Sequence, residues 1–398
     1  MTKRILVIGA ANYQTPAIKR IRDHGYEAYC VDWKEGQPGF AFANGYSVTD
    51  VKDKEKCLAY AKELNIDGVL TWGATLTLPT VSYIGSNMGL PCLPMQTCEI
   101  SMSKYQIRKR LTDYGLNSGG EVCEFHNWDE VRRHEFKLPF VVKPSDGSGS
   151  KGVRIVQKEE EITEAVEYAF AGARNNEIYV EPFVKGEEYS VEAFVCNGRV
   201  YIYSIVKTEF YWGKEYPVYN QTTYWKVSTE LEKLIEKEVE GSAKALGVTF
   251  GPINFDLIVS DNDGKPYIID VGIRNGQNLI ASHIVPYSRG VDELDLCIEW
   301  CLGNKVDAEP VRKKIISSRL LIYEPGMIKE IKPVEGLKGH DHIADIILRK
   351  HAGEELPRYE TKADICGWIL AEGDTPEEAR RWADKGWETL KDYIIIER

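Results

Sequence analysis

Short apolar runs alternate with amphipathic stretches over the first 95 residues. Residues 5–8, 28–31 and 68–70 have the continuous apolar character of buried strands, and residues 16–24 and 54–64 carry helical spacing. Strands and helices alternating at this interval predict parallel βαβ units. Residues 101–114 read as a helix that Ser101 or Ser103 caps and Gly115 ends. Residues 140–142 and 153–156 read as paired strands around a glycine-rich loop, followed by an amphipathic helix at 159–170. Strands at 178–183, 189–194 and 200–206 come next, the last two joined by the tight turn Asn197-Gly198. A charged helix at 229–246 ends at Gly247, and strands at 254–259 and 267–271 flank a polar turn. Beyond Gly303 the pattern shifts to short strands at 318–322, 328–331, 343–347 and 366–371 and a closing helix at 376–390. Its start, Asp374-Thr375-Pro376-Glu377-Glu378, combines a cap, an early proline and acids in the first turn.

Bulk composition adds constraints rather than a function. A chain of 398 residues with 43% hydrophobic and 28% charged residues is that of a soluble globular protein of two or three domains. A net charge of -11 argues against a general nucleic-acid surface, although a local nucleotide site remains compatible with it. No apolar run is long enough to span a membrane, and the N-terminus lacks a signal-peptide pattern. The nine cysteines show no paired short spacing, so reduced structural thiols and a cytoplasmic location are expected. Gly9-Ala10-Ala11-Asn12 follows the first strand but is not Gly-x-Gly-x-x-Gly, which leaves a dehydrogenase as a weak reading. Asp32 follows the second strand, where a ribose-binding acid would sit; a loop residue is the more ordinary role.

Chemistry concentrates in the middle of the chain. Lys143 leaves an apolar strand and enters Pro-Ser-Asp-Gly-Ser-Gly-Ser-Lys-Gly, and a cation beside exposed backbone N–H groups suits a polyphosphate. In Glu181-Pro182-Phe183-Val184, a strand runs into a short apolar linker whose backbone can meet an adenine edge, and acids beyond it can take ribose hydroxyls. Asp256 and Asp270 interrupt two apolar strands joined by a turn. If those strands pair antiparallel, both carboxylates reach one face, as magnesium ligands beside a triphosphate would. Arg274 supplies a planar fork for a phosphate or oxyanion.

In this order the motifs resemble the ATP-grasp superfamily, in its branch of carbamoyl-phosphate synthase, biotin carboxylase and purine ligases. The resemblance covers essentially the whole chain. It implies an α/β (α+β) ATP-grasp fold in three parts. These are a Rossmann-like pre-ATP-grasp domain at 1–97, an ATP-grasp domain at 98–303 with a lid at roughly 119–183, and a C-terminal α+β module at 304–398. By the same resemblance Lys104 and Lys143 match the phosphate lysines, and the loop of Ser148, Gly149, Ser150 and Gly152 matches the phosphate lid. Glu181, Phe183 and Val184 match the adenine hinge, Glu188 the ribose acid, Asp256 and Asp270 the metal carboxylates, and Arg274 the arginine at the transferred phosphoryl group. Lys207 opens a dense aromatic loop, 207–226, in a region that faces substrate in the family, and is a candidate anion contact. One departure stands out. Where the family has Glu-x-Asn-x-Arg, this chain has Asp270-Val271-Gly272-Ile273-Arg274, so a metal-binding Asn is replaced by Gly272. Either a second metal is held weakly, or Asn254, Asn275 or Asn278 supplies the oxygen.

The activity implied is that of a ligase using ATP and magnesium, with manganese as a substitute, to join a small-molecule carboxylate and an amine through an acyl phosphate. A bicarbonate-phosphorylating or purine-biosynthetic carboxylase is the alternative on the same fold. A nucleotide-binding regulator that lost catalysis is a second, motivated by Gly272. Family members are often dimers, so a homodimer is the expected assembly.

Overall fold

The structure is a computed structural model that describes residues 2–116, 120, 122–147, 151–212, 217–223, 228–277, 279–359 and 364–397, with backbone alone at 208–212 and 217–223. Its first unit is a parallel sheet of β1 (Arg4–Ile8), β2 (Glu27–Asp32), β3 (Gly45–Val48) and β4 (Gly68–Leu70), in the order β3-β2-β1-β4. Helices cover both faces of this sheet, which is why its central strand β1 is a continuous apolar run rather than alternating. Ile5, Leu6, Val7 and Ile8 are all fully buried, each contributing about 1.5–3 kcal/mol of burial free energy. The helix Lys54–Leu64 begins where Asp53 accepts the N–H of Lys56 and stops at Asn65, which takes the left-handed conformation.

A second, antiparallel sheet holds β5 (Cys123–Phe125), β6 (Phe140–Pro144), β7 (Arg154–Val156) and β8 (Ile178–Pro182), ordered β5-β8-β6-β7. The helix Ile162–Gly172 packs Ala165, Val166 and Ala169 against Phe140, Val142 and Ile178. The largest sheet is built from β9 (Gly186–Cys196), β10 (Arg199–Trp212), β11 (Pro217–Thr223), β12 (Gly251–Ser260) and β13 (Pro266–Gly272). It continues through β14 (Ile315–Leu321), with β15 (Gly326–Ile331) passing to a separate sheet, and ends on β16 (Ile343–Leu348). With β17 (Glu355–Leu356), β18 (Gly367–Gly373) and β19 (Ile394–Glu397) the strands are complete. The eight-stranded order is β13-β12-β9-β10-β11-β14-β18-β16, and β17-β15-β19 form a small third antiparallel layer. One face of β9, β12 and β13 packs Val191, Phe255, Leu257 and Ile268 against the helix Thr229–Ala245. The closing helix Pro376–Leu390, capped by Thr375, lies on β18 and β14.

One departure from the sequence expectations has a clear physical cause. The helix expected at 101–114 begins at Lys104, because Ser103 takes extended backbone and its hydroxyl caps Gln106 N–H; a separate short helix, Met95–Ile100, precedes it. The C-terminal strands β14, β18 and β16 join the large sheet through β11. Asp32 is a structural residue: its carboxylate accepts the N–H of Ala10 at 2.8 Å and the amide of Gln37 at 2.9 Å, bracing the turn after β1. All nine cysteines are free thiols. No helix among the described residues is long and apolar enough to cross a membrane.

Candidate active site

Strand register creates the acid pair. β12 and β13 run antiparallel with Asp256 directly opposite Asp270, so both side chains leave the same face of the sheet. The two acids differ in surroundings. Asp256 accepts a hydrogen bond from Ser190 Oγ at 2.7 Å, yet burial, reinforced by the charge of Asp270, raises its carboxyl above the ordinary range. Burial presses Asp270 the same way, but Lys104 and Lys143 outweigh it and hold that carboxyl below its ordinary value. Lys104, the first residue of its helix, reaches Asp270 Oδ2 in a direct ion pair. The backbone N–H of Lys104 also donates to Ser145 O at 2.8 Å, tying this helix to the end of β6.

The second cluster lies on the lid sheet. β6 and β8 place Val141 opposite Glu181 and Lys143 opposite Tyr179, which makes Lys143 and Glu181 diagonal neighbours on one face. Lys143 Nζ is 2.5 Å from Glu181 Oε1, donates to Ile269 O at 3.1 Å and lies 5.2 Å from the centre of the Tyr179 ring. Lys143 therefore bridges the lid sheet and β13, one residue before Asp270. The other Glu181 oxygen is 2.9 Å from Arg108 Nη2, and Arg108 and Glu181 are only 2% and 3% exposed. Sequence reading missed Arg108. The available signal was its position one helical turn beyond Lys104, which puts both cations on one side of the helix.

Other expected residues divide into those the fold brings to this face and those it does not. Alternation along β9 puts Glu188, Ser190 and Glu192 on the face of Asp256, with Glu188 exposed at the strand's start. Lys207 pairs with Tyr189 in the β9–β10 register, so it occupies the opposite face, 2.6 Å from Glu187 Oε1. The fold thus separates Lys207 from the acid pair. Phe183 and Val184 form the link between β8 and β9, where the Phe183 N–H donates to Pro139 O at 3.2 Å. Gly152 has a positive φ of 76°, and a Cβ there would lie 2.7 Å from Pro144 Cγ, so the loop's return demands glycine for packing as well as conformation. Ser148, Gly149, Ser150, Asn278 and the side chains of the aromatic loop lie outside the described residues.

Arg274 follows the end of β13, close enough for its charge to favour the ionised forms of both Asp256 and Asp270. Its Nη1 donates to Asn275 O at 2.8 Å. A Cβ built on Gly272 would lie 3.3 Å from both Cγ and Cζ of Arg274, so the arginine stem runs across the position an asparagine side chain would use. Neither nearby asparagine is turned to the acids. Asn275 Oδ1 accepts the Gly73 N–H at 2.8 Å, and Asn254 directs its amide nitrogen to Glu192 at 2.8 Å. Among the described residues no three His, Cys, Asp or Glu side chains converge on a metal position. Two opposed carboxylates still fit magnesium, which is commonly held by one or two protein acids together with substrate phosphates.

Comparison with known proteins bears on the family and fold of the chain. The ATP-grasp domain family matches residues 136–281, and the L-amino acid ligase C-terminal domain 2 family matches residues 319–391. A D-alanine–D-alanine ligase of Geotalea uraniireducens is 30% identical over 249 residues, 62% of this chain and 73% of the relative. The chain spans 64% of the length of two other curated relatives. Among solved structures, the phosphoribosylglycinamide synthetase of Anaerococcus prevotii superposes with a TM-score of 0.77 at 22% identity over 100% of both chains. The L-amino acid ligase of Bacillus licheniformis does so at 0.76 and 24% identity, over 100% of this chain and 99% of that one. At such identities these two establish a shared fold.

Proposed function

This chain belongs to the ATP-grasp family, and from that premise we propose that it is an ATP-dependent ligase joining a carboxylate to an amine of amino-acid or peptide type. The observation that carries the reading is the convergence of Asp256, Asp270, Lys104, Lys143 and Arg274 between the lid sheet and one face of the large sheet. Residues 1–97, 98–303 and 304–398 are its three working parts. The C-terminal match favours an amino-acid substrate over bicarbonate.

A carboxylate is a poor electrophile, so it must first become an acyl phosphate. The substrate carboxylate oxygen attacks the γ-phosphorus of ATP, and the bond to the β–γ bridging oxygen breaks to release ADP. The amine then attacks the acyl carbon, phosphate departs, and the nitrogen gives up a proton to form the amide. Lys104 and Lys143 neutralise the phosphate oxygens, and Arg274 steadies the transferred group and the acyl phosphate. Asp256 and Asp270 would hold magnesium, which supplies charge neutralisation between the phosphates. Glu188 receives the ribose, and the link at Phe183 and Val184 receives the adenine. The loop ending at Gly152 closes over the phosphates to keep water from the acyl phosphate.

The test is coupled ADP release across a panel of amino acids and dipeptides. The reading predicts turnover only when an acid and an amine are both present, with a new amide visible by mass spectrometry. Nucleotide binding with no turnover on any pair would instead support the regulator suggested by Gly272. ADP release with bicarbonate alone would support the carboxylase.

A further inference from the structure

Beneath the acid pair lie two carboxyl groups that the phosphoryl-transfer scheme does not use. Glu192, on β9, and Glu293, the first residue of the helix Glu293–Cys301, are both 0% exposed. Glu192 Oε1 accepts the Gly276 N–H at 2.7 Å, and Oε2 accepts the Asn254 amide at 2.8 Å. The Glu293 carboxyl lies beside that of Glu192, and among the described residues no donor reaches either of its oxygens. Two touching carboxylates shut away from water cannot both be ionised, because neither has a hydrogen to donate and their charges repel. A proton on Glu293 resolves both problems. It donates to Glu192, which stays an acceptor for Gly276 and Asn254.

The groups around the pair agree with that placement. Burial first, then the neighbouring charges of Glu192 and Asp292, pushes the Glu293 carboxyl far above its ordinary range. Burial also raises Glu192, to about 7, against the pull of Gly276, Asn254, Glu293 and Arg274. Tyr203 from β10 and Cys297, one turn along the helix, are the other titratable groups facing Glu293, and both are neutral at physiological pH because burial raises them.

We propose that Glu192 and Glu293 are one proton-sharing pair that positions the loop carrying Arg274. Glu192 grips that loop at Gly276, two residues past the arginine. A Cβ at Gly276 would lie 2.3 Å from Glu192 Oε2, so the grip requires glycine there. On the loop's other side Asn275 is fixed to Gly73 of the first unit. Arg274 therefore lies between the end of β13 at Gly272 and two successive anchored residues, Asn275 and Gly276, and loss of the shared proton drives the second anchor apart. That Arg274 serves phosphoryl transfer rests on the ligase reading; the pair and its grip on Gly276 do not.

The sign of the pH effect follows. Both carboxyls titrate higher in the folded than in the unfolded chain. Their contribution is thus complete below the ordinary glutamate pKa and is lost as pH rises from there through the folded values, a loss that ends near 7 for Glu192 and higher for Glu293. The experiment uses the full chain without nucleotide. Melting temperature and hydrogen exchange of the 273–277 segment are measured from pH 5 to 9 in wild type, Glu293→Gln and Glu293→Ala, with exchange corrected for its intrinsic pH dependence. Wild type should lose melting temperature as pH rises through this range, and segment protection above pH 7. Glu293→Gln keeps a donor that cannot ionise, so it should hold both flat across that range. Glu293→Ala should lose protection at every pH. In the ligase assay, Glu293→Ala should lower kcat about tenfold or more, the scale of a misplaced catalytic group, with the KM for ATP within about twofold. Identical pH profiles for wild type and Glu293→Gln would overturn the shared proton. Normal protection of 273–277 in Glu293→Ala would overturn the positioning role. Exchange and melting decide both points even where no ligase substrate is found.

Discussion

Asp256 and Asp270 face each other across one register position, yet their charges have opposite consequences for the protein. Asp256 is raised by burial and by Asp270, so its ionised form opposes folding. Asp270 is lowered because Lys104 and Lys143 overcome burial, so its ionised form supports folding and that support is lost as pH falls through its lowered value. The two conservative substitutions should therefore diverge. Asp256→Asn is expected to raise the melting temperature of the nucleotide-free protein, whereas Asp270→Asn should lower it by leaving two lysines under-compensated. Both should abolish magnesium-dependent ADP release. Thermal melts at pH 7 with and without Mg-ADP measure each part. A stabilised Asp256→Asn would be the familiar opposition between active-site charge and stability. Each acid was legible in the sequence as a polar interruption of an apolar strand. Their unequal affinities were not, because Lys104 lies 166 positions from Asp270 along the chain.

At the scale of elements, the helix Lys104–Asp113 and the lid strands β6 and β8 act together. Lys104 leaves the helix toward Asp270, and Arg108 leaves the next turn toward Glu181, which also binds Lys143. A buried ion triple contributes little net stability, but removing one member leaves a stranded charge. Arg108→Met should cost about 3–5 kcal/mol, because Glu181 then keeps a buried charge balanced by Lys143 alone. Chemical denaturation checks this, and Arg108→Met combined with Glu181→Gln should recover much of the loss. Hydrophobic periodicity located most of these elements. The helix Leu78–Met88 and the edge strand β3 are two of those that escaped it. The first buries the polar residues Thr80 and Ser82 beside Val81 and Ile84, so no clean apolar stripe can be read. The second alternates half-buried and exposed residues over only four positions.

At the scale of the whole molecule, the site belongs to no single sheet. The lid contributes Lys143 and Glu181, the large sheet Asp256 and Asp270, and the first unit reaches in through Gly73, whose N–H is bound by Asn275. Asn275→Ala should remove that tie at a cost of about 1 kcal/mol, the usual net worth of a hydrogen bond. Its effect on kcat should exceed its effect on the KM for ATP, since Arg274 is adjacent and the adenine link is remote. Steady-state kinetics with ATP varied at saturating acid and amine would separate the two. Equal losses in both parameters would mean that the first unit contributes only to stability.

Residue type and order along the chain were enough to point to the chemistry proposed above: a lysine before a glycine loop, an acid in each of two paired strands, an arginine beyond the second. Those choices are local, because a carboxylate inside an apolar strand is costly, and a positive φ calls for glycine, wherever either occurs. Tertiary structure decided which charges meet. It turned Lys207 to the far face, paired Arg108 with Glu181, laid the Arg274 stem over Gly272, and pressed Glu293 against Glu192. These outcomes depend on strand register and on packing between segments far apart in sequence, where a shift of one residue would send each side chain to the opposite face.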